Sequence, residues 1–215
     1  EQLAHFGYQV TSVEGEDRVM SAVFDEAFSK RIESTLQELG IGVKTGSFVQ
    51  SLAVSSDHVH EVYTEQEMWP TDQVIVATGV RPNTDWCAHE LLKRLDNGAI
   101  CIDMFGRTRI PDVFSVGDCA TIEHLFLEDA YIPLATGANR LGRIVGVNCV
   151  LEPKDWEAYP GSLGSSAIKI GDKEAGVTGL TEQQAQRLGL DINTVTIQAP
   201  NHSDYVPSPE EITIQ

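Results

Sequence analysis

The chain has 215 residues, 41% of them hydrophobic, which is enough for one large domain or two small ones with a substantial core. A formal net charge of −17 and a pI near 4.6 argue against nucleic acid and anionic membranes as partners. No apolar run approaches the roughly 20 residues of a membrane helix and no signal peptide pattern opens the chain, so we expect a cytoplasmic protein.

The N-terminal part of the chain alternates between helical and strand patterns. Residues 1–6 indicate the tail of a helix that Gly7 ends, and residues 8–14 alternate as a strand does. A helix that stops at Gly40 is then predicted by five apolar residues at helical spacing. These five residues are Phe24, Phe28, Ile32, Leu36 and Leu39.

Strand patterns follow this helix. Residues 42–54 and 59–64 form β-prone runs, and residues 72–79 have the pattern of a buried strand that runs into a glycine turn. A helix, several strands and a strand–turn in this order are typical of half a doubly wound nucleotide-binding domain with an inserted meander.

The middle of the chain contains its most informative pattern. A short helix near residues 88–95 and a strand near residues 100–103 are predicted first. An apolar strand over residues 113–116 follows and stops at Gly117-Asp118, and a long helix is predicted from Pro133.

The character of the sequence changes after residue 155. Residues 161–179 predict paired strands, residues 181–188 predict a helix with a Thr-Glu start, and residues 191–198 predict another strand. This order fits the opening of an α+β domain.

The four cysteines lie far apart, at positions 87, 101, 119 and 149. They form neither a Cys-x-x-Cys motif nor a zinc-type pairing, so no metal site is predicted. Their density is too low for a disulfide scaffold, and a reducing cytoplasm is the simplest location. Cys119 adjoins a candidate site, where a small buried filler is its expected role.

The Gly117-Asp118 turn has the chemistry of a ligand site. Ligands of open α/β sheets bind outside the carboxyl ends of the strands. A helix N-terminus offers them unpaired N–H groups and a positive dipole end. A carboxylate placed there accepts hydrogen bonds from sugar-type hydroxyls. Taken alone, such a turn is more often an aspartate that caps a helix, and the flanking sequence decides between the two interpretations.

Those flanking residues resemble a known family. Residues 113–120 (Val-Phe-Ser-Val-Gly-Asp-Cys-Ala) and the helix start after residue 132 are similar to the second flavin-contacting block of the pyridine nucleotide–disulfide oxidoreductases. The Pro-Leu-Ala-Thr-x-Ala-x-Arg-x-Gly form of that helix start is most similar to one branch of the family. This branch holds NADH oxidases, NADH peroxidases and coenzyme A–disulfide reductases. The likeness runs through the whole chain in family order.

The resemblance implies a role for each part of this block. Asp118, which follows Gly117, would hold the ribityl chain of FAD. The backbone around Leu134, Ala135 and Thr136 would face the pyrimidine edge of the flavin ring, where negative charge collects on reduction.

Glu14 is predicted to bind the second cofactor. An acidic residue at the end of the second Rossmann strand, about 20 residues after the glycine loop, binds the adenosine ribose hydroxyls. Its charge would repel the 2′-phosphate of NADPH, so Glu14 implies NADH. A solvent-facing glutamate at a strand end is the alternative. Arg18 lies near enough in sequence to approach a 2′-phosphate if the loop folds back.

Two further segments resemble the family. Residues 77–83 match an Ala-x-Gly-x-x-Pro-Asn turn near both cofactors, in which Gly79 permits close approach of the backbone. Residues 200–207 are similar to the His-x-x-Tyr-Tyr-Pro-Gly segment of coenzyme A–disulfide reductases. This likeness implies that Tyr205 faces the active site of the partner subunit in a dimer. Two departures from the pattern leave a tyrosine packed on the dimer core as an equal alternative.

The chain contains no Gly-x-Gly-x-x-Gly loop, although a family member that binds FAD and NADH needs two. We therefore expect a fragment of a protein roughly twice as long, with the redox-active cysteine upstream and no certain catalytic residue in the fragment. The expected fold class is α/β. It comprises part of a Rossmann-like, doubly wound NAD domain over residues 1–82 and part of an FAD domain over residues 83–155. The start of an α+β dimerisation domain covers residues 156–215.

The parent protein is predicted to be a homodimeric flavoprotein oxidoreductase. It would pass electrons from NADH through FAD to oxygen, peroxide or a disulfide such as that of coenzyme A. The isolated chain is expected to be inactive and to purify without FAD. Two alternatives stay open: an oligomerisation or scaffold module that binds no nucleotide, and a fragment of a flavoenzyme of the ferredoxin or rubredoxin reductase type.

Overall fold

A computed structural model describes residues 1–87, 89–203 and 205–215. Short helices and strands alternate along these residues. The helices are α1 (Gln2–His5), α2 (Glu26–Glu38), α3 (Ala135–Asn148) and α4 (Glu182–Arg187), with 3-10 turns at Asp85–Cys87 and Pro153–Asp155. The strands are β1 (Thr11–Val13), β2 (Gly42–Lys44), β3 (Val49–Ser55), β4 (His58–Thr64), β5 (Met68–Pro70), β6 (Ser166–Ile170), β7 (Lys173–Val177), β8 (Ile197–Pro200) and β9 (Glu211–Ile214).

A βαβ unit and a meander form the first third of the fold. Strands β1 and β2 are parallel, with Thr11 opposite Gly42, and α2 connects them. The helix predicted to stop at Gly40 is confirmed, and that glycine has a φ of +77° directly after the helical turn. The strand predicted over residues 8–14 is shorter, since β1 covers Thr11–Val13, the residues that lie opposite β2. Strands β3, β4 and β5 form the antiparallel meander.

The prediction of a buried strand over residues 72–79 is wrong. These residues belong to no strand, and the side chains of Ile75 and Val76 are 74% and 73% exposed. An interior strand of a parallel sheet is covered and paired on both sides. No residue of the described ranges forms a backbone hydrogen bond with residues 74–80. Apolar side chains of this segment are therefore exposed at the surface.

The helix predicted near residues 88–95 is also wrong. A single 3-10 turn at Asp85–Cys87 comes first, and residues 89–95 contain a short turn and a bridge from Arg94 to Ile100 instead of a helix. Ala88 lies outside the described residues.

The two strands predicted over residues 100–103 and 113–116 are reduced to isolated bridges. Ile100 pairs with Ala120 in the parallel sense, and Phe114 pairs with Arg107. A strand extends only where a neighbouring strand continues the hydrogen-bond ladder, and here each ladder stops after one pair. The Ile100 bridge nevertheless places the segment after Asp118 beside residue 100.

The last third contains two antiparallel hairpins and a helix. The paired strands β6 and β7 and the helix α4 confirm the predictions for residues 161–188. The sequence predicts the next strand over residues 191–198, but the strand begins at Ile197, where β8 meets its partner β9 at Ile214. The pattern of the sequence does not indicate β9. Within the described ranges, no helix has both the length and the apolar character needed to cross a bilayer.

Two hydrophobic clusters hold these elements together. The first surrounds α3 and includes Leu141 and Val145 of that helix with Ile122. The second packs the α2 region against β6, through Phe24 and Ile170 among others. The second cluster therefore joins the first third of the chain to the last third.

Candidate functional site

A sharp turn at Gly117 lies beside helix α3. Its φ of +81° is a left-handed value that glycine adopts at little cost. A Cβ atom placed on Gly117 would lie 4.0 Å from the Cβ of Ala138, near the start of α3. The Gly117-Asp118 turn and the N-terminal end of α3 are therefore neighbours.

Asp118 is held by its backbone and not by its carboxylate. The hydroxyl of Tyr131 donates a hydrogen bond of 3.1 Å to the carbonyl oxygen of Asp118. Burial, followed by the negative charge of Asp118, raises the pKa of Tyr131, so the hydroxyl stays protonated at neutral pH. The side chain of Asp118 is exposed, and no donor from the described ranges reaches its carboxylate.

Helix α3 begins at Ala135, two residues later than the prediction from Pro133. The amide of Leu134 donates to the carbonyl of Ile132 at 2.8 Å, and this tight turn around the proline replaces the first helical turn. Leu134 is then extended and serves as the N-cap without a side-chain hydrogen bond.

The first amide groups of α3 are free to bind a ligand. The amides of Ala135, Thr136 and Gly137 have no acceptor within the helix, and no other group in the described part of the chain supplies one. Ala135 and Thr136 are exposed. A helix N-terminus carries an effective charge of roughly +0.5. The site thus combines a carboxylate that accepts hydrogen bonds from hydroxyls with amides that favour an electron-rich group.

Glu14 directly follows β1. It therefore lies at a strand end, the position expected of an acidic residue that binds a ribose. Its amide donates to the carbonyl of Lys44 at 2.8 Å, so the residue continues the pairing of β1 with β2. One carboxylate oxygen, Oε1, accepts a hydrogen bond of 3.0 Å from the amide of Glu16. The other oxygen receives no hydrogen bond from the described residues, and the side chain is half-buried. One oxygen thus shapes the loop, and the second is available to a ligand.

The side chain of Arg18 is directed to α4. Its Nη2 donates to Oε1 of Gln183 at 3.0 Å, and its Nη1 lies 3.2 Å from Oδ1 of Asp17. Over the described ranges, no ion pair joins Arg18 to Glu14. Among the described residues, the hydrogen-bond partners of the guanidinium are therefore Asp17 and Gln183.

Gly79 and Tyr205 are not brought into the Asp118 site by any hydrogen bond that the described structure contains. Gly79 has a φ of +93°, and a Cβ atom placed on it would meet no other atom within 4 Å. Tyr205 lies between β8 and β9 with 87% of its surface exposed. Both residues have open surroundings.

Cys119 and Cys101 have the surroundings of cysteines that pack within a fold. Cys119 is half-buried, and its Sγ donates to the carbonyl of Val116 at 3.3 Å. Cys101 is buried, and burial is the main cause that raises the pKa of its thiol. All four cysteines are free, and the described ranges hold no cluster of three potential metal ligands.

Tyr131 is the residue of this site that sequence reasoning missed. It lies 13 positions after Asp118, and the hydrogen bond between them depends on the irregular loop that returns the chain to α3. The one signal in the sequence is an aromatic residue shortly before the proline of the helix start, and this signal does not identify its partner.

Known proteins match the whole length of the chain. Residues 1–142 match the family model described as pyridine nucleotide-disulphide oxidoreductase. The chain is 33% identical over 221 residues to an NADH oxidase of Enterococcus faecalis V583, covering 100% of this chain and 48% of that protein. It is 32% identical over 213 residues to a CoA-dependent NAD(P)H sulfur oxidoreductase of Pyrococcus furiosus, covering 97% and 46%. The chain therefore spans about half the length of these curated relatives.

A solved structure shares the fold. The water-forming NADH oxidase from Lactobacillus brevis, bound to NADH, matches with a TM-score of 0.89 and 33% identity. The match covers 98% of this chain and 46% of that one. This similarity confirms the predicted fold class, an α/β chain built from partial Rossmann-like domains.

Proposed function

The chain belongs to the pyridine nucleotide–disulphide oxidoreductase family, in the branch of the NADH oxidases and coenzyme A–disulfide reductases, and from this we propose that its parent protein passes electrons from NADH through FAD. The final acceptor would be oxygen, peroxide or a disulfide. When bound, FAD supplies the centre that takes up a hydride and releases electrons one or two at a time.

The observation that carries this proposal is the closeness of the Gly117-Asp118 turn to the first turn of α3. The carboxylate is exposed and has no donor in the described residues, and the first amides of α3 have no acceptor. Unpaired polar groups of both kinds, placed side by side, suit a ligand with sugar hydroxyls and an electron-rich ring. Asp118 would bind the ribityl hydroxyls of FAD. The amides of Ala135 and Thr136 would stabilise negative charge at the pyrimidine edge of the ring.

Glu14 would select and orient the nicotinamide cofactor. Its free carboxylate oxygen, at the end of β1, fits the two hydroxyls of an adenosine ribose. A phosphate on the 2′ position would meet this negative charge, so NADH is the proposed donor. Gly79 would allow the backbone to pass close to the cofactors, and its open surroundings leave space for them.

The proposed domain organisation follows these roles. Residues 1–82 would contribute to the NAD domain, residues 83–155 to the FAD domain and residues 156–215 to the dimerisation domain. Tyr205, with its exposed side chain, would face the partner subunit of a homodimer. As the chain spans about half the length of its relatives, we propose that residues 1–215 alone are inactive and bind no FAD.

The test uses the full-length parent protein with Asp118→Ala. A hydrogen bond to a charged group contributes about 1.5–3 kcal/mol, so FAD should bind roughly ten- to a hundredfold more weakly. The affinity is measured by reconstituting the apoprotein with FAD. Asp96→Ala is the matched control, because Asp96 is also an exposed aspartate of residues 83–155 without a side-chain partner among the described residues. It should leave FAD binding unchanged.

Two results would contradict the proposal. A full-length parent that purifies without FAD and cannot be reconstituted would favour a scaffold module that binds no nucleotide. Unchanged FAD affinity in Asp118→Ala would remove Asp118 from the flavin site. The separate claim that residues 1–215 alone are inactive and bind no FAD has its own test. Recovery of this chain with stoichiometric flavin absorbance would contradict that claim.

A further inference from the structure

A polar junction connects the loop after Glu14 to helix α4. The side chain of Arg18 is only 13% exposed, and its Nη2 donates to Oε1 of Gln183 at 3.0 Å. Its Nη1 donates to Oδ1 of Asp17 at 3.2 Å. A guanidinium on a surface loop is usually solvated, so these contacts hold this one in a defined place.

Gln183 is itself fixed in position. Both carboxylate oxygens of Asp25 accept backbone hydrogen bonds from α4, from the amide of Glu182 at 2.8 Å and from the amide of Gln183 at 3.1 Å. Thr181 and Gln184 form a capping box at the same helix start. The acceptor that holds Arg18 therefore belongs to a well-ordered helical turn.

The loop that carries Glu14 is equally constrained. A Cβ atom placed on Gly15 would lie 2.4 Å from Cε1 of Phe48, so the loop packs closely against this ring. The amide of Gly46 donates to the carbonyl of Glu16, and the amide of Ser47 donates to the carbonyl of Glu14 at 2.9 Å. The backbone after Glu14 is thus fixed, and the main freedom left to Arg18 lies in its side chain.

We propose that Gln183 is a specificity-determining residue for the nicotinamide cofactor. By holding the Arg18 guanidinium against α4, it keeps a cation away from the ribose hydroxyls that Glu14 binds. A 2′-phosphate then meets the carboxylate of Glu14 without the positive charge of Arg18. This inference rests on the proposed binding of NADH at Glu14. It assigns a part of the cofactor preference to a residue of the proposed dimerisation domain, 165 positions from Arg18 in the sequence.

The test is Gln183→Leu in the full-length parent, with the dissociation constants of NADPH and NADH measured by direct titration. Leucine removes the acceptor and frees Arg18. One partly screened charge interaction changes a dissociation constant roughly two- to fivefold, so NADPH should bind that much more tightly while NADH changes little. The gain should shrink in high salt, because a mobile guanidinium is exposed to screening.

Three further variants make the result specific. Arg18→Gln combined with Gln183→Leu should lose the NADPH gain, because the cation itself is then gone. Gln186→Leu is the control, since Gln186 also lies on α4 but its amide donates only to Glu182, and it should leave both cofactors unaffected. Gln183→Asn withdraws the acceptor by one methylene and should show the gain in smaller measure, which keeps the test open if the leucine variant does not fold.

The outcomes separate this inference from the proposed function. If NADH binds, Glu14→Ala weakens it and yet neither Gln183 variant alters the ratio of the two dissociation constants, the role of Gln183 is wrong and the cofactor site stands. A wild-type parent that binds no NADH would overturn both.

Discussion

The hydroxyl of Tyr131 donates a hydrogen bond of 3.1 Å to the backbone carbonyl of Asp118. Tyr131 precedes α3 by four residues, and Asp118 follows the turn at Gly117. This bond therefore ties together the two parts of the proposed flavin site, the carboxylate turn and the helix start.

Removing the hydroxyl should loosen this tie without removing a ligand of FAD. For Tyr131→Phe in the full-length parent we expect FAD to bind roughly three- to tenfold more weakly, since a neutral hydrogen bond contributes about 0.5–1.5 kcal/mol. Tyr8→Phe is the control, because Tyr8 is exposed and its hydroxyl has no partner among the described residues. Equal affinities for Tyr131→Phe and wild type would show that the turn is ordered without this bond.

Two glycines with nearly the same backbone conformation should differ in their tolerance of alanine. Gly106 has a φ of +82° and Gly117 a φ of +81°. A Cβ atom on Gly106 would lie 2.2 Å from Cγ2 of Val145, whereas one on Gly117 would lie 4.0 Å from Ala138. We expect Gly117→Ala to lower the free energy of unfolding by about 1–2 kcal/mol through backbone strain alone. Gly106→Ala should lose about 2–5 kcal/mol, because overpacking is added.

Urea unfolding of the full-length parent measures both changes. A double-mutant cycle isolates the steric part: Val145→Ala should be less destabilising in the Gly106→Ala background than in wild type, since it removes the clashing methyl groups. Additive effects of the two substitutions would contradict the predicted clash.

Asn148 should be sensitive to the loss of its amide group. Its side chain is 1% exposed, and its Nδ2 donates to the carbonyls of Phe105 at 3.3 Å and Glu157 at 2.9 Å. Its Oδ1 accepts from the amide of Glu157 at 2.9 Å. Asn148→Asp places a carboxylate against two carbonyl oxygens and should cost at least about 3 kcal/mol at neutral pH.

The pH dependence of this variant has a defined sign. The two carbonyls and the burial disfavour the ionised form of the new carboxyl, so its pKa in the folded state rises above the unfolded value. The deficit relative to wild type should therefore shrink as the pH falls through that raised pKa. Asn139→Asp, on the exposed face of α3, should change stability by less than about 0.5 kcal/mol. A deficit that is constant between neutral and acid pH would argue against this explanation.

The cysteines should differ in their reaction with iodoacetamide. Cys149 is exposed, whereas Cys101 is buried and its thiol has a raised pKa, chiefly because of that burial. The thiolate is the reactive form, so Cys149 should be alkylated first. Cys101 should stay protected beyond the pH at which an ordinary thiol ionises. Mass spectrometry of timed digests gives the order, and early labelling of Cys101 in folded protein would contradict it.

The same raised pKa has a consequence for stability. The folded state keeps the Cys101 proton more tightly than the unfolded state does. The raised pKa therefore contributes to the free energy of unfolding, and this contribution is fully present below the pKa of the thiol in the unfolded state. It is lost as the pH rises through the folded pKa.

The sequence predicted best the elements that depend on near neighbours. Helix α2 follows from apolar spacing and the glycine after it, and the β6–β7 hairpin follows from alternation around a turn. These signals are local, so they survive in any tertiary context. The adjacency of Gly117 to α3 followed from the family pattern and not from periodicity.

The sequence predicted least well the elements that need distant partners. Residues 72–79 carry the composition of an interior strand, yet composition does not provide the flanking strands that would bury it. The sequence also does not identify Gln183 as the partner of Arg18 or Asp118 as the partner of Tyr131, because each hydrogen bond joins segments whose approach is decided by packing.

The exposed segment at residues 74–80 also affects how chains meet one another. Its backbone groups form no ladder with the described residues, and its aliphatic side chains face water, so it is a template on which a second chain can add a strand. Mutual repulsion between molecules of charge −17 opposes that contact. Acidification toward the pI near 4.6 removes the repulsion but leaves the template. The net charge of the chain therefore determines whether two chains associate through residues 74–80.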